Sequence, residues 1–181
     1  MKPTSQLPDR RGRAAFVFEE PNFDIDLIIG LKNIKIQDPE ELIELVMQGY
    51  DTSFRSSVQP GDMLVGGENF GYGHPHPQAM RAMRHLGISC VISESFAPPY
   101  WMAEIGVGFP QISCPGILGL AKRWDELEVS WERLTITNLS SGGTLLFEPL
   151  SHRDLTLLMA GGMDNYLRGS VDTQEYRGAK K

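Results

Sequence analysis

The spacing at which apolar residues recur changes once along this chain, and that change limits the folds open to it. In the first two thirds, short apolar runs alternate with stretches at helical spacing. From Leu127 onward the spacing is two: Leu127, Val129 and Trp131, then Leu134 and Ile136, then Leu145 and Phe147. "SSGG" between the last two pairs is a hairpin turn signal. A chain that alternates strands and helices and ends in successive strands reads as one mixed α/β domain. Its 181 residues, 41% of them hydrophobic, are enough for one such core.

The earlier elements follow from local chemistry. Phe16 to Phe18 suggest a first short strand. Asp38 as cap, Pro39 in the first turn and Glu41 three residues after the cap start a helix. Leu42, Leu45 and Val46 form its apolar stripe, and Gly49 ends it. "DMLVGG" reads as a strand. Ala79, Ala82, Met83 and Leu86 recur at helical spacing up to Gly87, and "ISCVIS" is a short buried strand. Pro98 and Pro99 open a helix to about Ile105, Gln111 and Ile112 make a strand, and Ser151 caps a last helix to Ala160. Residues 1–14 are expected to be a flexible arm, 15–168 the folded domain, and 169–181 a loose tail.

Charge and composition exclude several classes. A net charge of −6 lacks the basic excess of a nucleic-acid surface. No apolar run approaches the ~20 residues of a membrane span. Met1 to Arg13 lack the apolar segment of a signal peptide. Two cysteines, Cys90 and Cys114, cannot alone supply the usual thiolate ligands of zinc or an iron–sulfur cluster. The chain is expected in a reducing cytoplasm, with no metal or cofactor held by its own residues.

The segment "GYGHPHPQAM", Gly71 to Met80, lies between a strand and a helix and admits four readings. Gly71 and Gly73, with Glu94 further on, partly match a dinucleotide fingerprint, but His76 occupies the third glycine position, where close packing is needed. His74 and His76, with His85, suggest a metal site but lack a carboxylate cluster or cysteine pair beside them. A simple turn with surface histidines is the plainest reading. The fourth is a substrate-binding helix entry. Pro77 starts the helix, so His76 takes the cap position beside free backbone N–H groups. Gly71 and Gly73 let the backbone approach a ligand. The imidazoles add groups that titrate near neutrality. Such a loop suits a carboxylate or hydroxy-acid substrate with proton transfer.

Several collinear motifs strengthen the fourth reading. "NFDIDLII", Asp38 to Leu42, "PGDMLVGGENFGYG", "LGISCVISESFA", "FEPL" and "AGGMDNYL" run from about Ala15 to Leu167. Together they resemble the small subunit of 3-isopropylmalate dehydratase and homoaconitase, equivalent to the swivelling domain of aconitase. The resemblance implies a single β/β/α domain of parallel and antiparallel strands. It implies a large partner subunit carrying a four-iron, four-sulfur cluster, and joint dehydration and rehydration of a hydroxy acid. The chain alone would then be inactive. Two other readings stay open: a non-catalytic binding or regulatory domain, and an isomerase or decarboxylase of hydroxy acids using the two loop histidines.

The resemblance also places roles on residues. Asp26 matches an active-site aspartate of the opening motif. The family's G-S-S-R-E-H-A loop stands here as Gly73-His-Pro-His-Pro-Gln-Ala79. His74 thus holds the place of the serine base, and His76 that of a carboxylate-gripping arginine. The reading gives His74 the proton alpha to a carboxylate and His76 the substrate. Gly30 to Gln37 match a specificity loop, where Lys32 and Asn33 are candidate substrate contacts. Asn69, Gly71, Tyr72 and Gly73 complete the candidate set. Further family arginines are replaced by Pro98 and Met102. Loss of guanidinium forks weakens carboxylate binding, so a smaller or less charged hydroxy acid is expected, or one held by the large subunit.

Overall fold

The computed structural model describes residues 7–169. Its strands are β1 (Arg10–Phe18), β2 (Met63–Gly66), β3 (Cys90–Ser93), β4 (Gln111–Ser113), β5 (Glu126–Ser130), β6 (Thr135–Asn138) and β7 (Thr144–Leu146). The helices are α1 (Pro39–Leu45), α2 (Phe54–Ser57), α3 (Pro77–His85), α4 (Pro98–Gly106), α5 (Ile117–Leu120) and α6 (His152–Ala160), with a further helical segment at 163–169. The strands form one sheet in the order β4-β3-β2-β1-β5-β6-β7. β1 to β4 pair in parallel, and β5 to β7 continue from β1 as an antiparallel meander.

The two halves of the sheet reflect two kinds of sequence. β2 (MLVG) and β3 (CVIS) are buried at every position, as parallel strands covered on both faces must be. Leu64 and Val91 face one core with α3. Met63, Val65, Cys90 and Ile92 face another with α6 and the antiparallel strands. β5 and β6 instead alternate between buried and more exposed positions.

β1 joins the halves, and here the structure corrects the expected arm. The strand begins at Arg10, and its first four residues pair with β5 from Val129 to Glu126. Its later part pairs with β2 after a bulge between Ala14 and Phe16. The bulge places both Ala15 and Phe16 against the α3-side core, while Ala14 and Val17 face the other. "RRGR" carries no apolar alternation, and two of its three arginines find acidic partners. Arg13 donates to both carboxylate oxygens of buried Asp62, at 3.0 and 2.7 Å, and Arg11 pairs with Glu126 at 2.6 Å. Of the expected loose tail, only Gly169 is described, and it ends the 163–169 segment; the rest lies outside the described residues.

α1 keeps its expected start and loses its expected end. Asp38 caps it by accepting the Glu40 N–H at 3.0 Å. The helix stops at Leu45 rather than Gly49, because buried Met47 takes a positive φ of 61° and donates its N–H to Ile28 at 2.7 Å. Burying the Met47 side chain and pairing its N–H outweigh the helical propensity of the segment.

Parallel register positions the site. Phe18 of β1, Gly66 of β2 and Ser93 of β3 lie in one row across the sheet. The loops that leave these strands therefore emerge side by side, at the carboxyl ends where open α/β sheets bind ligands.

Candidate active site

The three loops are fastened together by short polar contacts. Asn22 donates its backbone N–H to Glu68 at 2.8 Å, and the Asn69 amide donates to Asn22 Oδ1 at 2.7 Å. Both asparagines have positive φ, 57° and 54°, which this residue type tolerates better than most. Ser95 Oγ accepts the Asn69 N–H at 2.8 Å, linking the loop after β3. The Phe23 carbonyl accepts the N–H of both Gly71 and Tyr72, at 2.9 and 3.1 Å. Phe70 forms a parallel bridge with Phe96.

Gly71 is required at its place. Its φ is +83°, and a Cβ there would sit 2.1 Å from the buried Tyr100 ring. The backbone can run over that ring only without a side chain. Gly73, at φ +93°, makes the second left-handed step, beside the Asp24 carboxylate.

Asp26 and His76 meet at the centre. Asp26 lies in a 3₁₀ turn, Ile25–Ile28, whose start is capped by Asp24; Asp24 Oδ1 accepts the Asp26 N–H at 2.9 Å. Asp26 is 3% exposed. His76 precedes Pro77, which holds it in extended backbone (φ −94°, ψ 147°). Asp26 Oδ1 accepts the His76 N–H at 3.0 Å, and Asp26 Oδ2 lies 2.6 Å from His76 Nδ1. A carboxylate on Nδ1 selects the tautomer with its proton there, which leaves Nε2 as an acceptor. The ring is half-exposed, and no side chain among the described residues caps α3. Pro77 has no N–H, so the Gln78 and Ala79 amides are the first-turn donors available to an anion.

The remaining sequence candidates divide. His74 is exposed on the same loop and has no hydrogen bond or ion pair among the described residues. Tyr72 is 54% exposed beside it. Asn69 fastens loops through both its side chain and its backbone. Lys32 and Asn33 lie in a separate 3₁₀ turn, Leu31–Asn33. Lys32 is exposed and unpaired among the described residues, while the Asn33 amide donates to the Ile29 carbonyl at 2.6 Å. Neither hydrogen-bonds the 69–76 loop among the described residues.

Other readings of the loop lose their residues to structural duties. Glu94, the acid of the dinucleotide reading, accepts the N–H groups of Gly116 and Leu118, at 2.6 and 2.9 Å, at the start of α5. His85 faces Glu40 at 3.5 Å rather than joining His74 and His76. Among the described residues, no three His, Cys, Asp or Glu side chains converge on one point. Cys90 and Cys114 are buried and unpaired, and burial pushes their thiols up to about 11 and about 12. Sequence reasoning missed Asp24 and Ser95. The Asx cap in "DID" was a visible signal for the first; for Ser95 no local signal existed, because its partner is 26 residues away.

Comparison with known proteins places this geometry among relatives. Residues 26–106 match the model of the aconitase C-terminal domain. The chain is 42% identical over 147 residues to the isopropylmalate/citramalate isomerase small subunit of Methanocaldococcus jannaschii, covering 81% of this chain and 88% of that protein. It is 33% identical over 150 residues to the 2,3-dimethylmalate dehydratase small subunit of Eubacterium barkeri, covering 83% and 92%. The solved structure of a 3-isopropylmalate dehydratase from Methanocaldococcus jannaschii superposes with a TM-score of 0.83 at 30% identity, covering 94% of this chain and 99% of that one.

Proposed function

Because the chain belongs to the small-subunit family of 3-isopropylmalate dehydratases, built on the aconitase C-terminal domain, we propose that it is the small subunit of a two-subunit hydro-lyase. The substrate class is a substituted malate: a hydroxy acid with two carboxylates and an apolar substituent. The relatives named for isopropylmalate, citramalate and 2,3-dimethylmalate support that class. The scarcity of guanidinium groups in the loop supports it too, since a third carboxylate has no clamp here.

The partner is a large subunit carrying a four-iron, four-sulfur cluster. The donor set of this chain favours placing the cluster there, since its two thiols are buried and held protonated. When bound, such a cluster supplies a Lewis acid for the departing hydroxyl. This chain supplies proton transfer and anion binding. His76 Nε2 takes the proton from the carbon alpha to a carboxylate, the C–O bond of the neighbouring carbon breaks, and a carbon–carbon double bond forms. Asp26 orients the ring and stabilises the imidazolium that results. The free amides at the start of α3 receive a substrate carboxylate, with Gly73 leaving the approach open and Gly71 seating the loop on Tyr100. His74, Tyr72 and Asn69 line the mouth, and Lys32 reaches the substrate only if the partner brings it near. Rehydration at the other carbon returns the proton from His76 and yields the isomeric hydroxy acid.

The observation that carries the proposal is the double contact between Asp26 and His76 beside an uncapped helix. It supports His76 as the base in place of His74, the position that resemblance gave. Two buried, unpaired cysteines suit a reducing cytoplasm. Among the described residues, no helix is long and apolar enough to cross a membrane. The test is co-expression with the large subunit and an assay of substituted malates by ultraviolet absorbance of the conjugated unsaturated acid. His76→Ala should abolish most turnover. Near-native turnover in that variant overturns the assignment.

A further inference from the structure

At the carboxyl end of β1 lies a hollow of about 230 Å³ that the chemistry above does not use. Phe16, Phe18, Phe23 and Tyr50 line it, together with Glu19 and Glu20. The Tyr50 ring meets those of Phe16, Phe18 and Phe23 edge-on, at centroid distances of 5.9 to 6.1 Å, and is 43% exposed. Resting on the two-subunit reading, we propose that this hollow seats a guanidinium or ammonium side chain of the large partner subunit.

Charge selects the occupant. Glu19, Glu20 and Glu68 are exposed, and none forms an ion pair among the described residues. The Glu19 and Glu20 carbonyls pack against Gly67, next to Glu68. The Tyr50 hydroxyl reports the same field: its pKa is raised by burial first, then by the charges of Glu20 and Asp24. Aromatic residues beside carboxylates that have no ion-pair partner among the described residues favour a cation over an anion or a neutral apolar group. The same cluster already shows the contact. Arg123 lies over the Phe16 ring at 5.0 Å, its own charge answered by Asp51.

Position selects the partner. Phe23 lines the hollow, and its carbonyl holds Gly71 and Tyr72. The hollow is thus one residue from the loop that must meet a substrate shared with the large subunit. A cation docked there would fix the loop against the partner.

The test is the dissociation constant between this chain and its iron–sulfur large subunit, co-expressed from the same organism. The variants are Glu19→Gln with Glu20→Gln, and separately Tyr50→Leu; Glu148→Gln, an exposed acid outside the hollow, is the control. Both hollow variants should raise the dissociation constant ten-fold or more, most at low salt. The control should stay within two-fold, as should kcat at saturating partner. Circular dichroism checks folding, and the exposed glutamates make the double glutamine variant the safer one. A change under ten-fold in that variant overturns the proposal while leaving the two-subunit reading intact. So does loss of a self-association of the isolated chain, which makes a second copy the occupant. Failure of the unaltered chain to bind or activate the large subunit overturns both.

Discussion

Asp26 holds His76 at two points: one carboxylate oxygen accepts the histidine's backbone N–H at 3.0 Å, and the other lies 2.6 Å from Nδ1. The first contact fixes where the ring starts, and the second fixes how it turns. Asp26→Asn keeps the shape but presents an amide, which can offer a proton to Nδ1 and favour the wrong tautomer. We expect kcat of the assembled enzyme to fall at least ~100-fold, within the usual range for a positioned proton-transfer group. KM should change little, and the far-ultraviolet spectrum not at all. A matched loss of kcat and thermal stability would make Asp26 merely structural.

His74 should matter less than His76. It is exposed and has no partner among the described residues, so none of these orients its ring before substrate arrives. His74→Ala is expected to lower kcat less than ~10-fold, and His76→Ala by ~10²–10⁴-fold. Steady-state turnover of both variants decides the order. The reverse order would return the base to the position that resemblance assigned.

Gly71 supports the loop from below. Alanine there meets both a φ of +83° and the Tyr100 ring. Strain of this kind costs about 1–3 kcal/mol before the overlap is counted. We expect Gly71→Ala to lower Tm by several degrees and to weaken substrate binding, since the loop must lift from Tyr100. Thermal melts and KM together check it.

Much of this architecture was legible locally, and the site only partly. α3, α6 and the three last strands followed from spacing and caps, because their partners are near in sequence. β1 did not. Its first half is charged, and Arg13 belongs in a strand only because Asp62, 49 residues later, receives it. Asp26 and His76 were each named as candidates, but a separation of 50 positions hid their contact. Glu94 looked like a ligand acid because the amides it caps lie 22 and 24 residues beyond it. In each case the residue type was readable and the partner was not.

The start of β1 yields a test of its own. Asp62 accepts Arg13 through the backbone N–H, Nε and Nη2, and also accepts the Gln59 N–H at 2.9 Å. Arg13 further lies over the Trp124 ring at 4.8 Å. Removing the acid leaves several donors unanswered at a partly buried site, which costs about 2–3 kcal/mol. Asp62→Ala should therefore lower Tm by roughly 5–10 °C in a chain of this length. Deleting residues 1–13 should be worse, because it severs β1 from β5. A truncated chain with an unchanged melt would restore the idea of a loose arm.

Glu104 of α4 and Arg84 of α3 form a pair whose stability contribution depends on pH. Glu104 is 4% exposed and hydrogen-bonded to Arg84, yet burial outweighs that partner and raises its carboxyl from 4.5 to about 7. Between those values the folded chain binds a proton that the unfolded chain has released. Stability from this group is therefore full below about 4.5, falls as pH rises toward 7, and is level above it. The whole change is on the order of 3 kcal/mol, lessened by any water that reaches the pair. Glu104→Gln removes the titration, and Arg84, partly exposed over the Phe109 ring at 5.4 Å, remains solvated. Urea unfolding at pH 5 and pH 8 should show the stability difference between the two proteins shifting toward the glutamine variant at the higher pH. A difference that does not move with pH would mean that Arg84 keeps Glu104 ionised throughout.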